Sequence, residues 1–290
     1  MTVFPLRSTL LSSLVAVLLA GGGVVGSAIA GQQPNEVLGA LRGPGEAPLV
    51  AGHRGDRGEA PENTIPAFRA AMAAGVGVLE TDVQLTSDGV PVLMHDRTVD
   101  RTTDGSGAVA DLSLADIEAL DAGSWFDPRF AGTRVPTLEE FLALVGQSDS
   151  RAFVELKGVW TPDQVAIVAG LVDAADVASR VVLMSFELDS VAAAKQAAPG
   201  IPRFILSSRV PDDPVGLVAE YDAAGLATTL HAVEERPDAV TALHAAGARV
   251  MLYTLSTDRA WQRALAAGVD GVVTDTPYAY GAWMAEAAPL

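Results

Sequence analysis

Short apolar runs, rich in β-branched and aromatic residues, recur along the chain between Ala-rich stretches with helical spacing. The runs are LVAG, VLETDV, AFVEL, VVLMSF, RFILS, LATTL, RVMLYTL and DGVVTD, starting at residues 49, 78, 152, 181, 203, 226, 249 and 270. Between them lie stretches such as TIPAFRAAMAAG, DAVTALHAAGA and DRAWQRALAAG, several ending near Gly, a helix C-terminal signal. Strands that alternate with helices predict parallel pairing. Eight such units predict a closed barrel rather than an open sheet.

One segment breaks the alternation. After VLETDVQLT comes SDG and then VPVLMHD, an Asp-Gly hairpin signal between two strand-like runs. The chain then stays polar and turn-rich to about Arg134. This predicts an excursion between the second and third barrel strands, over about residues 84–135. Loops that follow barrel strands lie at the catalytic mouth, so the excursion is expected to border it.

The first residues follow a different pattern. A single basic residue, Arg7, precedes an apolar stretch that ends in AIA at residues 28–30. This is the layout of a secretory signal peptide, expected to span residues 1–30 with cleavage after Ala30. The alternative is an uncleaved anchor, since residues 10–30 could span a bilayer. Residues 31–47 read as an N-terminal tail and residues 48–290 as the barrel. No later segment is long and apolar enough to span, so no stable membrane span is expected after cleavage, and the location is secreted or extracytoplasmic.

Composition narrows the function classes. With 49% hydrophobic and 19% charged residues the chain can bury a substantial core. A formal charge of −17 disfavours nucleic acid, which needs a basic face, so no nucleic-acid partner is expected. An anionic substrate would need local positive charge or a metal against that background. The absence of cysteine excludes disulfides, thiolate metal sites and a Cys nucleophile.

Glu80 and Asp82 lie two apart in a predicted strand and so face one side. Inside a barrel two carboxylates repel unless a cation joins them, and an all-oxygen site suits Ca²⁺ or Mg²⁺. A pair of surface carboxylates, or one ion-paired to a basic neighbour, is the alternative. Glu155 and Lys157 repeat the spacing at the end of AFVEL, where Glu155 could complete a three-carboxylate site and Lys157 could meet a phosphate oxygen. An internal ion pair is the plainer reading of those two. His53 and His95 each end an apolar run and could act as acid and base, ligate a metal or simply pack. Arg54 could clamp an anionic oxygen. His231 and His244 carry no supporting neighbours. Asn63 reads as a helix N-cap, Asp56, Arg57 and Glu59 as ordinary loop charge, and Gly52 and Gly55 as room for backbone beside a substrate.

The assembled motifs are HRG and PENT within residues 53–64, ETDVQLTSDGVPVLMHD from 80, RTTDGSG from 101, VPTLEE from 135, VELK from 154 and GVDGVVTDTP from 268. In that order the chain resembles the glycerophosphodiester phosphodiesterase family, in particular its secreted bacterial type. The resemblance implies a (β/α)8 TIM barrel with a small insertion after the second strand. It implies one divalent cation, Ca²⁺ or Mg²⁺, on Glu80, Asp82 and Glu155. His53 and His95 match the family's acid and base, and Arg54 and Lys157 its phosphate contacts. The implied reaction converts a small glycerophosphodiester into glycerol 3-phosphate and an alcohol.

Where many members carry Trp-Thr-Val-Asn, this chain has LYTLST, so Tyr253 keeps an aromatic substrate wall but adds a hydroxyl. The alternative within enzymes is phospholipase D-like cleavage of lysophospholipids or sphingomyelin. A catalytically silent binding protein is the alternative outside them.

Overall fold

A computed structural model describes residues 37–43 and 46–287, so the expected signal peptide and cleavage site lie outside the described residues. Eight parallel strands close on themselves: β1 (Leu49–Gly52), β2 (Val78–Leu85), β4 (Arg151–Leu156), β5 (Val181–Ser185), β6 (Arg203–Leu206), β7 (Gly225–Thr228), β8 (Arg249–Leu252) and β9 (Gly271–Thr274). The ring is completed where β1 pairs with both β9 and β2. A ninth strand, β3 (Pro91–Leu93), pairs antiparallel with the end of β2 and opens the insertion. The architecture is therefore the expected α/β barrel, with the extra strand after the second one.

The apolar runs become strands because a parallel barrel strand is buried on both faces. Inward positions Ala51, Val78, Phe153, Val182, Phe204 and Met251 fill the barrel. Outward positions such as Leu79, Val83, Val154 and Leu156 meet helix residues Phe68, Phe141, Val165 and Val168. On the other side Leu226, Val250 and Val272 meet Val240, Leu243 and Trp261. Threonines start many of the helices: Thr64, Thr137, Thr161, Thr229 and Thr257 each accept a backbone N–H from the first turn.

The insertion carries a core of its own, with Val92, Met94, Val99, Val109, Ile117 and Val135 packed together. Its backbone is tied to the barrel where Leu93 N–H donates to the Pro136 carbonyl and Met94 N–H to that of Asp82. His95 and Asp96 are thereby held above the mouth rather than left on a free loop.

Part of the expected tail is not loose. Val37 and Leu38 are buried in the cluster that fills the barrel. Arg249, the first residue of β8, donates to the Gly39 carbonyl, and Arg42 N–H donates to Asp270 Oδ1 at 3.0 Å. This segment closes the end of the barrel opposite the insertion.

Candidate active site

β2 and β4 bring three carboxylates together. Their register places Asp82 beside Glu155, and the pleat turns Glu80 to the same inner face. Glu80, Asp82 and Glu155 are buried, and each offers an oxygen within 4.8 Å of the others. Burial, with Asp82 and Glu155 close by, raises the Glu80 carboxyl well above its ordinary value. Burial and Asp82 push Glu155 up to about 7. Asp82 goes the other way: burial opposes ionisation, but Arg54 and Lys157 outweigh it and hold the carboxyl low.

The cations beside them come from the same strand ends. Arg54 follows β1 with φ of 56°, a left-handed conformation uncommon for a side-chain-bearing residue. In that conformation its backbone N–H donates to Glu80 at 2.8 Å, while its guanidinium Nε lies 3.1 Å from Asp82. Lys157 Nζ lies 2.8 Å from Glu155 and 3.4 Å from Asp82.

Both histidines have a carboxylate behind them. His53 Nδ1 lies 2.5 Å from Asp275 Oδ1, and His95 Nδ1 lies 2.7 Å from Asp96 Oδ1. Burial, more than the opposing pull of Asp82, lowers the His95 imidazole below its ordinary value. Arg101 braces the second pair, its Nε 2.5 Å from Asp96 Oδ2.

Glu62 joins these parts. Its buried carboxylate accepts from Arg54 at 2.7 Å and from Arg101 at 2.7 and 3.0 Å, and lies 3.1 Å from Arg57. Burial acts to raise its pKa, yet the bonds from Arg101 and the charges of Arg54 and Arg57 hold the carboxyl below its ordinary value. Arg57 also reaches to 3.7 Å from Asp275. A chain of alternating charges thus links His53, through Asp275, Arg57, Glu62, Arg101 and Asp96, to His95.

These groups border a cavity of about 200 Å³ at the C-terminal mouth of the barrel. His53, Arg54, Glu80, His95, Glu155, Lys157 and Tyr253 line it, over a floor that includes Phe153, Met184 and Met251. Asp82 lies just beneath. The Tyr253 ring packs edge-on against Phe186, with centroids 5.6 Å apart, and its buried hydroxyl has no hydrogen-bond partner. All eight residues expected from the sequence therefore meet at one place. His231 does not: it is exposed and pairs with Glu235 at 3.3 Å. Nor does His244, which lies 2.8 Å from Asp270 at the opposite end.

Several expectations are corrected. Asn63 is not the N-cap; Thr64 is. Asn63 adopts φ of 56°, which Asn tolerates, and donates to Asp82 at 2.9 Å while accepting from Thr81 at 2.9 Å. Of the presumed loop charges only Glu59 is exposed; Arg57 joins Glu62, and Asp56 is buried against the start of the last helix. Gly55 makes room for protein rather than substrate, since a Cβ there would stand 2.5 Å from the Ala67 backbone carbon. The site residues not singled out in the sequence are Glu62, Asp96, Arg101 and Asp275. All four sit inside the quoted motifs as charged positions without an assigned task, which was the available signal.

The geometry has a counterpart among known proteins. The profile of the glycerophosphoryl diester phosphodiesterase family matches residues 53–279. The chain belongs to this family. A glycerophosphodiester phosphodiesterase of Caldanaerobacter subterraneus subsp. tengcongensis is 36% identical over 231 residues, 79% of this chain and 94% of the relative. One from Bacillus subtilis is 32% identical over 254 residues, 79% of this chain and 84% of the relative.

Among solved structures, a glycerophosphodiester phosphodiesterase of Agrobacterium tumefaciens superposes with a TM-score of 0.72 at 32% identity, over 81% of this chain and 100% of that one. An Oleispira antarctica phosphodiesterase, solved with the product sn-glycerol-3-phosphate, gives 0.77 at 29% identity, over 82% and 97%. This family member is accordingly an enzyme that cleaves phosphodiesters. No helix among the described residues is long and apolar enough to cross a membrane.

Proposed function

We propose that the chain hydrolyses glycerophosphodiesters to glycerol 3-phosphate and an alcohol, using His53 and His95 as the acid–base pair. The observation that carries this reading is the meeting of two carboxylate-backed imidazoles, two cations and three carboxylates around one cavity. The relatives named for this activity support the substrate class.

The three carboxylates fit a hard divalent cation, Ca²⁺ or Mg²⁺. The donors are all oxygen, they converge within 4.8 Å, and without added positive charge two of them are driven toward the protonated form. Glu80, Asp82 and Glu155 would hold it. When bound, such an ion neutralises charge on a phosphoryl oxygen. Arg54 and Lys157 offer the remaining positive charge to the diester.

Asp275 and Asp96 occupy Nδ1 of the two imidazoles, leaving Nε2 of each to exchange protons with substrate. One imidazole takes a proton as the nucleophile's oxygen bonds to phosphorus. The other gives a proton to the alcohol oxygen as its bond to phosphorus breaks. The nucleophile is water in direct hydrolysis, or the substrate's neighbouring hydroxyl in a route through a cyclic phosphate. Tyr253 offers its unpaired hydroxyl to a polar group of the substrate. Extracytoplasmic action, as in the secreted bacterial type, rests on the signal-peptide pattern of residues 1–30.

A second reading, phospholipase D-like cleavage of lysophospholipids or sphingomyelin, is favoured by one observation. Among the described residues, the exposed large apolar side chains Val159, Phe186, Leu188 and Tyr278 follow β4, β5 and β9 at the mouth, and Trp125 stands on the insertion. Rates on glycerophosphocholine and lysophosphatidylcholine decide between them. The first reading predicts faster turnover of glycerophosphocholine with glycerol 3-phosphate released; a preference for the lysolipid would overturn it. Phosphorus NMR of the products separates direct hydrolysis from an accumulating cyclic phosphate.

A further inference from the structure

A second and larger concavity opens beside the catalytic cavity. It is a groove of about 610 Å³ between the insertion and the loops that follow β4 and β5. His95 and Lys157 line both spaces, so the two meet at those side chains. Their chemistry differs. The cavity is floored by Phe153, Met184, Leu206, Ala227, Met251 and Val273, whereas the groove, walled by Leu85, Val159 and Trp160, also presents Arg97 and Glu187.

A phosphodiester has two ester arms that diverge from one phosphorus. Phosphorus held beside Lys157 and His95 would sit where the two spaces meet. One arm must then enter each. The glycerol arm has a fixed, small size and suits the smaller cavity, and the alcohol arm is left to the larger groove.

Two charges in the groove stand out by having no counter-charge. Arg97 and Glu187 are exposed, and neither forms an ion pair among the described residues. Glu187 is the N-cap residue of helix Leu188–Ala197, yet its side chain makes no capping bond. A cation on the insertion and an anion after β5 face one groove, and both are free to meet a ligand.

From this we infer that the groove is the subsite for the alcohol arm, and that it selects an alcohol carrying both an ammonium and a carboxylate, of the serine kind. The ammonium meets Glu187 and the carboxylate meets Arg97. The inference rests on the hydrolytic reading given above and names the substrate class for that same site.

The test compares kcat/KM of the wild-type enzyme, Arg97→Ala and Glu187→Ala on glycerophosphoserine, glycerophosphoethanolamine and glycerophosphoglycerol. Neither residue belongs to the catalytic set. Exposed charge pairs are worth little, so the expected losses are modest, about threefold to fivefold. Arg97→Ala should lose that much on the serine diester alone. Glu187→Ala should lose it on the serine and ethanolamine diesters, with the glycerol diester unchanged in both variants. Equal shifts on all three diesters, or none on any, would overturn the subsite and leave the hydrolytic reading intact. A wild-type enzyme inactive on all three would overturn both.

Discussion

The two ends of this barrel handle buried charge in opposite ways. At the N-terminal end Asp270 and Arg203 are each met by several partners of their own. Asp270 accepts from Arg42 N–H at 3.0 Å and from Val250 N–H at 2.8 Å, and lies 2.8 Å from His244. Arg203 donates to the carbonyls of Pro199, Ile201 and Asp222 and pairs with the Asp222 carboxylate at 3.2 Å. At the C-terminal end three carboxylates crowd within 4.8 Å, and the pKa of two, Glu80 and Glu155, is pushed up. The difference separates charges that hold the fold from charges held by the fold. Where local rules are broken at a cost, a ligand or a reaction is the expected compensation.

The sharpest way to test that contrast is to remove the proton carriers at one end only. His53→Ala and His95→Ala should each lower kcat on glycerophosphocholine by about 10²- to 10⁴-fold, the usual worth of a positioned acid or base. Circular dichroism and Tm should hardly change. Near-wild-type turnover in a folded double variant would remove the acid–base assignment.

Substitutions that erase one carboxylate charge should then act in opposite directions at the two ends. Asp270→Asn leaves neighbouring donors poorly matched and should cost about 1–3 kcal/mol of stability, with kcat unchanged. Glu80→Gln relieves repulsion and should raise the stability of chelated protein by about 1 kcal/mol, and it should remove activity in the metal-supplied enzyme. Denaturant melts of both variants check this. Destabilisation of similar size at both ends would erase the distinction.

A smaller effect is expected from pH. In metal-free protein the folded Glu155 carboxyl sits at about 7, above its ordinary 4.5, so folding favours its protonated form. The stability from this group is complete below the ordinary value and is lost as pH rises through about 7. The Tm of chelated wild type should therefore fall relative to chelated Glu155→Gln over that window. A constant difference between the two would contradict the raised pKa of Glu155.

Much of this molecule can be read from its residues, for physical reasons that differ by part. Barrel strands are buried on both faces, so VVLMSF and RVMLYTL stand out as continuous apolar runs. The Glu80–Asp82 spacing is legible because a strand repeats every two residues. The partners of Glu62 and Asp275 are not, because they depend on loops converging from β1, β9 and the insertion. Asn63 misleads for a related reason. It stands two residues before a helix, one short of the cap position, and its left-handed backbone turns the side chain toward Asp82, while Thr64 does the capping. Val37 and Leu38 sit in a segment whose composition resembles a tail, and only the open end of a barrel gives them a place to bury.

The central claim is that Glu80, Asp82 and Glu155 form a cation site on which activity depends. It is tested most directly by chelating the wild-type enzyme and an Asp82→Asn variant, then adding back Ca²⁺ or Mg²⁺ while following glycerophosphocholine hydrolysis and Tm together. The account predicts that chelated wild type is inactive and that one of the ions restores turnover and raises Tm, with neither response in the variant. Full activity in the metal-free wild type would contradict it.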